Sequence, residues 1–306
     1  MLDVIRLPQR LITGLLHHKK VAPFVFLAPF LTVFLIFKVY PVILAIIMSF
    51  QNFQGIKSQD WVGLTNYENV FELVRFSQAL TNTTVYTIGT LLVLIPLPLI
   101  LAVLLDSGRV VASTVFRVLI FLPALTSLVV AGTVFRLILA KDGFLNLFLE
   151  GTLGMERLRW LEVSDLALPS LILIATWRWT GMNILYFNSG LVNIPQELYE
   201  SAAIDGASPW QMFLRITLPM LRPTTFFVVV LSIIGGYQVF VEPFILYAGG
   251  AGPGDGGLTL ALLIYRTAFT SFNFGTAAAM GVILALIIFV FSLIQFRLFG
   301  VFGGIE

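Results

Sequence analysis

The sequence contains no cysteine, and its only histidines, His17 and His18, are adjacent near the N-terminus. Without thiols the chain can form no disulfide, no zinc–thiolate site and no cysteine nucleophile. A histidine-based triad or dyad is excluded from the rest of the chain. No lysine follows a glycine, which excludes a phosphate-binding loop of the GxxxxGK[ST] kind. If ATP drives this protein, another chain must therefore hydrolyse it.

Charged residues are also scarce. They occupy 11% of the 306 positions, whereas hydrophobic residues occupy 58%. Soluble chains carry about 25% charged residues, so 18 Lys and Arg with 16 Asp and Glu are too few to cover this much apolar surface. A net charge of +2 is too small to indicate a basic surface that binds nucleic acid. The composition predicts a polytopic membrane protein with no nucleic-acid partner.

Six segments are apolar enough to cross a bilayer core, which takes about 20 residues. They are Val21–Ser49, Thr84–Leu105, Phe116–Ala140, Leu166–Gly190, Pro223–Tyr247 and Phe274–Phe299. The predicted fold class is all-α, with six transmembrane helices. Residues 1–20 are predicted to be a basic cytoplasmic segment, and residues 21–306 the transmembrane domain.

The distribution of Lys and Arg favours placing both termini inside the cell. The inner side then carries Arg6, Arg10, Lys19, Lys20, Arg109, Arg117, Arg215, Arg222 and Arg297, and the outer loops carry Lys57, Arg75, Lys141, Arg157 and Arg159. The opposite topology has less support. In the favoured one, two long outer loops cover Gln51–Asn82 and Lys141–Asp165, and the glycine-rich Gly249–Gly257 is predicted to be a flexible connector.

The inner loop at residues 191–222 is predicted to form two short helices joined by a glycine turn. Gly206 suits the left-handed conformation that ends a helix. Ser208, Pro209 and Gln211 then form a capping-box pattern, and Pro219 is expected to close the second helix. The residue pattern by itself is equally consistent with a helical hairpin that lies in the interface of the membrane, with its Trp and Phe side chains among the lipid headgroups. The loop's net charge of −1 argues against a DNA-reading helix-turn-helix.

This loop resembles the EAA motif of binding-protein-dependent ABC importer permeases. The motif appears as Glu200-Ser201-Ala202, then Gly206, then Ile216-Thr217-Leu218-Pro219, with both spacings kept and only Ser201 departing from the pattern. The resemblance implies that the loop is a coupling helix that docks in a groove of a cytoplasmic ATPase subunit. The coupling residues so implied are Glu200, Ser201, Ala202, Asp205, Gly206, Ile216, Leu218 and Pro219.

Shorter fragments narrow the resemblance to sugar permeases of the MalF type. These fragments are Tyr40-Pro41, the Val62–Tyr67 run, Trp177–Gly181, Asn193–Pro195 and Ile204–Ala207. The resemblance implies a type I ABC importer permease fold in the cytoplasmic (inner) membrane of a bacterium or archaeon. The implied partners are a second, homologous permease subunit, an ATP-binding subunit dimer, an extracytoplasmic sugar-binding protein, the sugar and the lipid bilayer. No cofactor or metal is predicted.

Two polar stripes within predicted spans are candidate sugar-binding surfaces, because polar residues at membrane depth are functional candidates and sugars bind beside aromatic faces. In the fourth span, Trp179, Thr180 and Asn183 fall on one stripe. In the fifth, Gln238 and Glu242 share a face. Hydrogen bonding between helices, without any substrate, would explain the same residues.

Two other classes of function compete with this interpretation. A stand-alone secondary transporter would show inverted repeats and a carboxylate relay, yet no repeat is evident and Glu242 is the only acidic residue clearly within a span. An intramembrane enzyme would need a nucleophile and a base at membrane depth, and the spans contain no Cys and no His.

Overall fold

The structure, a computed structural model, describes residues 20–55, 57–107 and 111–299. The predicted basic segment 1–20, apart from Lys20, lies outside the described residues, and so does Arg109 of the positive-charge count.

Helices dominate the described residues and confirm the all-α prediction. In chain order they are α1 Ala22–Met48, α2 Thr65–Glu72, α3 Val74–Leu94, α4 Pro96–Asp106, α5 Ser113–Leu125, α6 Leu128–Ile138, α7 Phe144–Leu153, α8 Ala167–Val192, α9 Gln196–Ile204, α10 Pro209–Met220, α11 Arg222–Tyr237, α12 Val241–Leu246, α13 Leu260–Thr270 and α14 Phe274–Leu298. One antiparallel hairpin, β1 Gln51–Gln54 with β2 Lys57–Trp61, accompanies them.

Within the part of the chain that the structure describes, three helices are long and apolar enough to cross a membrane: α1, the continuous run Val74–Asp106 and α14. The number rises to five if each of two bent helix pairs is counted as one span. Helix α8 has 26 residues and is therefore about 39 Å long. Polar residues such as Arg178 interrupt its apolar character. Six spans with both termini inside therefore stay a prediction.

Helix α8 is the centre of the packing, since it lies against α3, α4 and α5. Its buried side chains Leu171, Ile174, Ile184 and Phe187 are all at most 1% exposed. The backbones of α8 and α5 come closest at Gly181, where an added Cβ would overlap the carbonyl oxygen of Ile120. A glycine is therefore required at this crossing.

Asn66 on α2 joins three elements through its buried amide. Its Nδ2 donates to the carbonyl oxygens of Ser49 and Gln51, both at 2.9 Å. Its Oδ1 accepts from the Thr276 hydroxyl of α14 at 3.4 Å. The side chain thereby links the end of α1, the start of β1 and the start of α14.

We expect Asn66→Ala to destabilise the chain, because two buried carbonyl oxygens and a hydroxyl would lose their partner. Each unsatisfied buried group costs about 1–3 kcal/mol. Thermal melting of the detergent-solubilised protein should show a lower midpoint than the wild type. Thr65→Ala, whose hydroxyl bonds the Val62 carbonyl in an exposed position, is the matched control and should leave the midpoint nearly unchanged. Equal midpoints for Asn66→Ala and wild type would contradict the assigned role.

The third and fifth predicted spans are not continuous helices. The third is broken between α5 and α6 at Thr126, and the two helices meet at 100°. Arg178 of α8 donates a hydrogen bond to the Thr126 carbonyl at this corner, so a residue distant in sequence stabilises the break. In the fifth, α11 ends at Tyr237 and α12 begins at Val241.

The prediction of a flexible connector at Gly249–Gly257 is wrong. Side chains near the start of α3 hold this segment in place. Arg75 forms a bidentate ion pair with Asp255, with nitrogen–oxygen distances of 2.7 and 3.0 Å. Gln78 donates a hydrogen bond to the Gly254 carbonyl. The same contacts explain why α3 begins at Val74 rather than at the predicted Thr84. The polar side chains in its first turns have hydrogen-bond partners in the glycine-rich segment, so the helix extends beyond the apolar run.

Candidate functional site

A cavity of about 430 Å³ lies where α3, α8 and the α11–α12 break meet. Its walls are partly aromatic and partly polar. They comprise Tyr86, Thr90, Leu94, Leu128, Ala175, Trp179, Met182, Asn183, Tyr186, Leu231, Ser232, Gly235, Gly236, Gln238, Val239, Phe240, Val241 and Glu242. Hydrogen-bonding groups beside aromatic faces suit a small polar ligand such as a sugar.

The break after α11 places Gln238 and Glu242 in the cavity wall. Gly236 allows α11 to approach α3 closely, since an added Cβ would lie 2.6 Å from the Thr87 hydroxyl. The unwound segment is held by the Thr259 hydroxyl, which donates to the Val239 carbonyl at 2.8 Å. The prediction that Gln238 and Glu242 share a face of one continuous helix was wrong, but both residues line the same cavity.

Asn183 has a structural partner as well as a position in the cavity wall. Its Nδ2 donates to the Leu94 carbonyl at 2.9 Å. In a regular helix the amide four residues on would satisfy that carbonyl, but position 98 is Pro98 and has no N–H. Asn183 therefore satisfies a carbonyl that the proline leaves free, where α3 gives way to α4.

The structure brings four of the five predicted sugar-binding residues together. Trp179, Asn183, Gln238 and Glu242 all line the cavity. Thr180 does not lie among the lining residues, and its buried hydroxyl donates to the Thr176 carbonyl of its own helix at 2.6 Å.

Sequence reasoning missed other polar and aromatic lining residues. These are Tyr86, Thr90, Tyr186 and Phe240. A signal was present in the second span, where Thr83, Tyr86, Thr87 and Thr90 recur at helical spacing.

The second candidate site is the helical hairpin made by α9 and α10. Gly206 has φ +76°, the left-handed conformation that the sequence predicted. Ser208 and Gln211 form the predicted capping box: Gln211 N donates to the Ser208 hydroxyl at 3.3 Å, and Ser208 N donates to Gln211 Oε1 at 2.8 Å. The Tyr199 and Thr217 hydroxyls lie 2.8 Å apart and tie the two helices together.

The second helix ends one residue after Pro219, where the sequence predicts it to close. Helix α10 continues to Met220 and the chain turns at the buried Leu221. The turn at Phe213–Thr217, just before the proline, is π-helical, and Leu218 N bonds the Phe213 carbonyl five residues back.

The motif residues divide between the hairpin surface and its base. Glu200, Ser201, Asp205 and Gly206 are exposed, and so is Leu218, whereas Ala202, Ile216 and Pro219 are partly buried. Two large apolar side chains beside the turn are strongly exposed, Ile204 at 87% and Trp210 at 66%. A rigid, capped hairpin that exposes apolar side chains is typical of a surface that another protein covers.

Comparison with known proteins relates most of the chain to permease proteins of transport systems. It is 44% identical over 291 residues to the arabinooligosaccharides transport system permease protein AraP of Bacillus subtilis (strain 168), covering 95% of this chain and 92% of AraP. It is 33% identical to the lactose transport system permease protein LacF of Rhizobium radiobacter, covering 93% and 96% of the two chains.

A solved structure shares the fold. It is a chain of a bacterial ABC transporter involved in the import of the acidic polysaccharide alginate, with a TM-score of 0.81, 26% identity and coverage of 95% of this chain and 98% of that one. The family model described as "Binding-protein-dependent transport system inner membrane component" matches residues 75–299. The chain therefore belongs to the family of inner membrane components of binding-protein-dependent transport systems.

Proposed function

We propose that this chain is the permease subunit of an ATP-driven, binding-protein-dependent sugar importer in the cytoplasmic membrane. The observation that carries the proposal is the α9–α10 hairpin, which has the geometry and exposure of a docking element, in a chain whose sequence has no GxxxxGK[ST] phosphate-binding loop. Family membership and the sugar permeases among its relatives support the same function.

The proposed sugar path runs through the cavity between α3, α8 and the α11–α12 break. Trp179, Tyr86 and Tyr186 offer aromatic faces to sugar rings, whereas Asn183, Gln238 and Glu242 offer hydrogen bonds to hydroxyl groups. Gln238 is exposed to the cavity, so its amide is available to a ligand. A homologous second permease subunit completes the path, and an extracytoplasmic sugar-binding protein delivers the substrate.

Coupling is assigned to the hairpin. Its apolar tip, with Ile204 and Trp210, enters a groove of the ATP-binding subunit, and Glu200 and Asp205 contribute charge at the rim of the contact. ATP-driven closure of the two ATP-binding subunits then moves the hairpin. Because the packed Tyr199–Thr217 contact and the continuous α10 join the hairpin to α11, the movement reaches the cavity wall.

Gln238→Ala is expected to lower the affinity for sugar several-fold without lowering the amount of complex. A lost hydrogen bond of about 1 kcal/mol corresponds to roughly a fivefold change. Asn183→Ala should weaken transport and also lower thermal stability, because it frees the Leu94 carbonyl. Uptake over a full sugar titration in proteoliposomes measures the first effect, and melting midpoints measure the second.

Thr81→Ala is the control for both variants. Thr81 is an exposed residue of α3 whose hydroxyl bonds its own helix, and it lies off the cavity. Wild-type uptake in both Gln238→Ala and Asn183→Ala would remove the cavity from the sugar path. Uptake driven by an ion gradient, with no ATP-binding subunit present, would favour a secondary transporter instead.

A further inference from the structure

A second cavity, of about 480 Å³, lies at the end of α6 and shares no lining residue with the first. Three cations line it: Arg136 from α6, and Lys141 and Arg159 from the segments that flank α7. Glu162 is the only acidic residue in its lining. The excess of positive charge predicts an anionic ligand.

The cationic groups are available to a ligand. Within the described residues, the side chains of Arg136 and Lys141 have no hydrogen bond or ion pair, and Arg159 reaches Glu162 only at 3.9 Å. Arg157 in the same loop is different, because it is bonded to both Glu150 and Asp142. The loop thus neutralises Arg157 and holds Arg159 only in a long ion pair, and it leaves the side chains of Arg136 and Lys141 available to another partner.

The buried amide of Asn146 fixes the shape of the cavity. Asn146 is 1% exposed, and its Nδ2 donates to the carbonyls of Lys141 at 3.0 Å and Leu158 at 2.7 Å. Its Oδ1 accepts from Leu158 N and from Trp160 Nε1, both at 3.1 Å. The backbone beside Lys141 and the segment carrying Arg159 and Trp160 are thereby held together before any ligand binds.

The neighbouring helix α7 presents an apolar surface. Phe144 is 70% exposed, Phe148 53% and Leu153 67%. In the predicted topology, α7 lies in the outer loop between the third and fourth spans. An exposed apolar helix beside a cationic, tryptophan-lined cavity is the arrangement expected at the boundary between headgroups and acyl chains.

We infer that this cavity binds the headgroup of an anionic phospholipid. The phosphate lies among Arg136, Lys141 and Arg159, and the acyl chains lie along the exposed face of α7. Free inorganic phosphate offers the same charge but no apolar part, so the exposed side chains of α7 select the lipid. The bound lipid would anchor the α6–α8 loop at the membrane surface.

Native mass spectrometry of the complete detergent-solubilised transporter tests the inference, with added dioleoyl-phosphatidylglycerol or dioleoyl-phosphatidylcholine. We expect one phosphatidylglycerol per copy of this chain to bind more tightly than phosphatidylcholine. Removing two cations near a lipid headgroup should weaken binding roughly 30-fold, so Arg136→Gln/Lys141→Gln should lose this preference. Arg157→Gln, which removes an already paired cation of the same loop, should retain it.

Three results would overturn the inference. They are equal binding of the two lipids to the wild type, equal phosphatidylglycerol binding to the wild type and the double variant, and displacement of phosphatidylglycerol by millimolar inorganic phosphate. If, in the second of these results, the double variant also no longer binds the extracytoplasmic binding protein, the cavity belongs to the contact with that protein.

Discussion

Gly206→Val is expected to abolish sugar uptake while the chain is still made and inserted in the membrane. Gly206 has φ +76°, and a β-branched residue in that conformation costs about 1–2 kcal/mol. An added Cβ at this position meets no atom within 4 Å, so the strain lies in the backbone and not in a steric clash. The turn should relax by tilting α9 against α10, which displaces Ile204 and Trp210.

The effect of Gly206→Val is measured as the amount of ATP-binding subunit that co-purifies with the permease, relative to the abundance of the permease itself. We expect this amount to fall. The control is Gly206→Asn, because asparagine tolerates the left-handed conformation and the site has room for its side chain. It should retain both the ATP-binding subunit and most uptake. Glu200→Lys, which reverses an exposed charge on α9, should weaken retention without disturbing the fold. Full retention in Gly206→Val and Glu200→Lys would mean that the hairpin is no coupling element.

Gly181→Val is expected to remove most of the chain from the membrane. The backbones of α8 and α5 meet at this residue, where a Cβ would overlap the Ile120 carbonyl oxygen and lie 2.7 Å from the Phe121 Cα. Backbone atoms cannot rotate away as a side chain can, so the helices must separate at the centre of the packing. Overpacking of this kind costs about 1–3 kcal/mol or more.

Gly281→Ala is the matched control for Gly181→Val, because Gly281 lies in the apolar helix α14 and an added Cβ there meets nothing within 4 Å. Quantitative immunoblotting of membranes should show normal abundance for this control and severe loss for Gly181→Val. Normal abundance of Gly181→Val would contradict the close crossing of α5 and α8.

Local features of the hairpin were predictable because short-range chemistry determines them. A capping box needs only Ser208 and Gln211 three residues apart, and a left-handed turn needs only Gly206. The start and end of α14 could likewise be predicted from its continuous apolar run. The overall family assignment followed from the spacing of the same hairpin residues.

Pro123 indicates a kink in the third span, and the α5–α6 corner follows it by three residues. The 100° bend at that corner and the α11–α12 break depend on contacts between residues far apart in sequence. Arg178 bonds the carbonyl at the α5–α6 corner, and Thr259 bonds the Val239 carbonyl in the α11–α12 break. The composition of the glycine-rich segment is typical of a flexible connector. Its order depends on Arg75 and Gln78, which lie far earlier in the chain.

The absence of native cysteine allows a direct test of the central claim, that the α9–α10 hairpin docks on an ATP-binding subunit. Ile204→Cys would carry the chain's only thiol at the exposed hairpin tip, and Val111→Cys would carry it at an 88% exposed position in the predicted inner loop before α5. A short maleimide–succinimidyl ester reagent is applied to membranes that contain the complete transporter. We predict that Ile204→Cys cross-links to the ATP-binding subunit and that Val111→Cys does not. No cross-link from Ile204→Cys, or an equal yield from both positions, would contradict the proposed coupling.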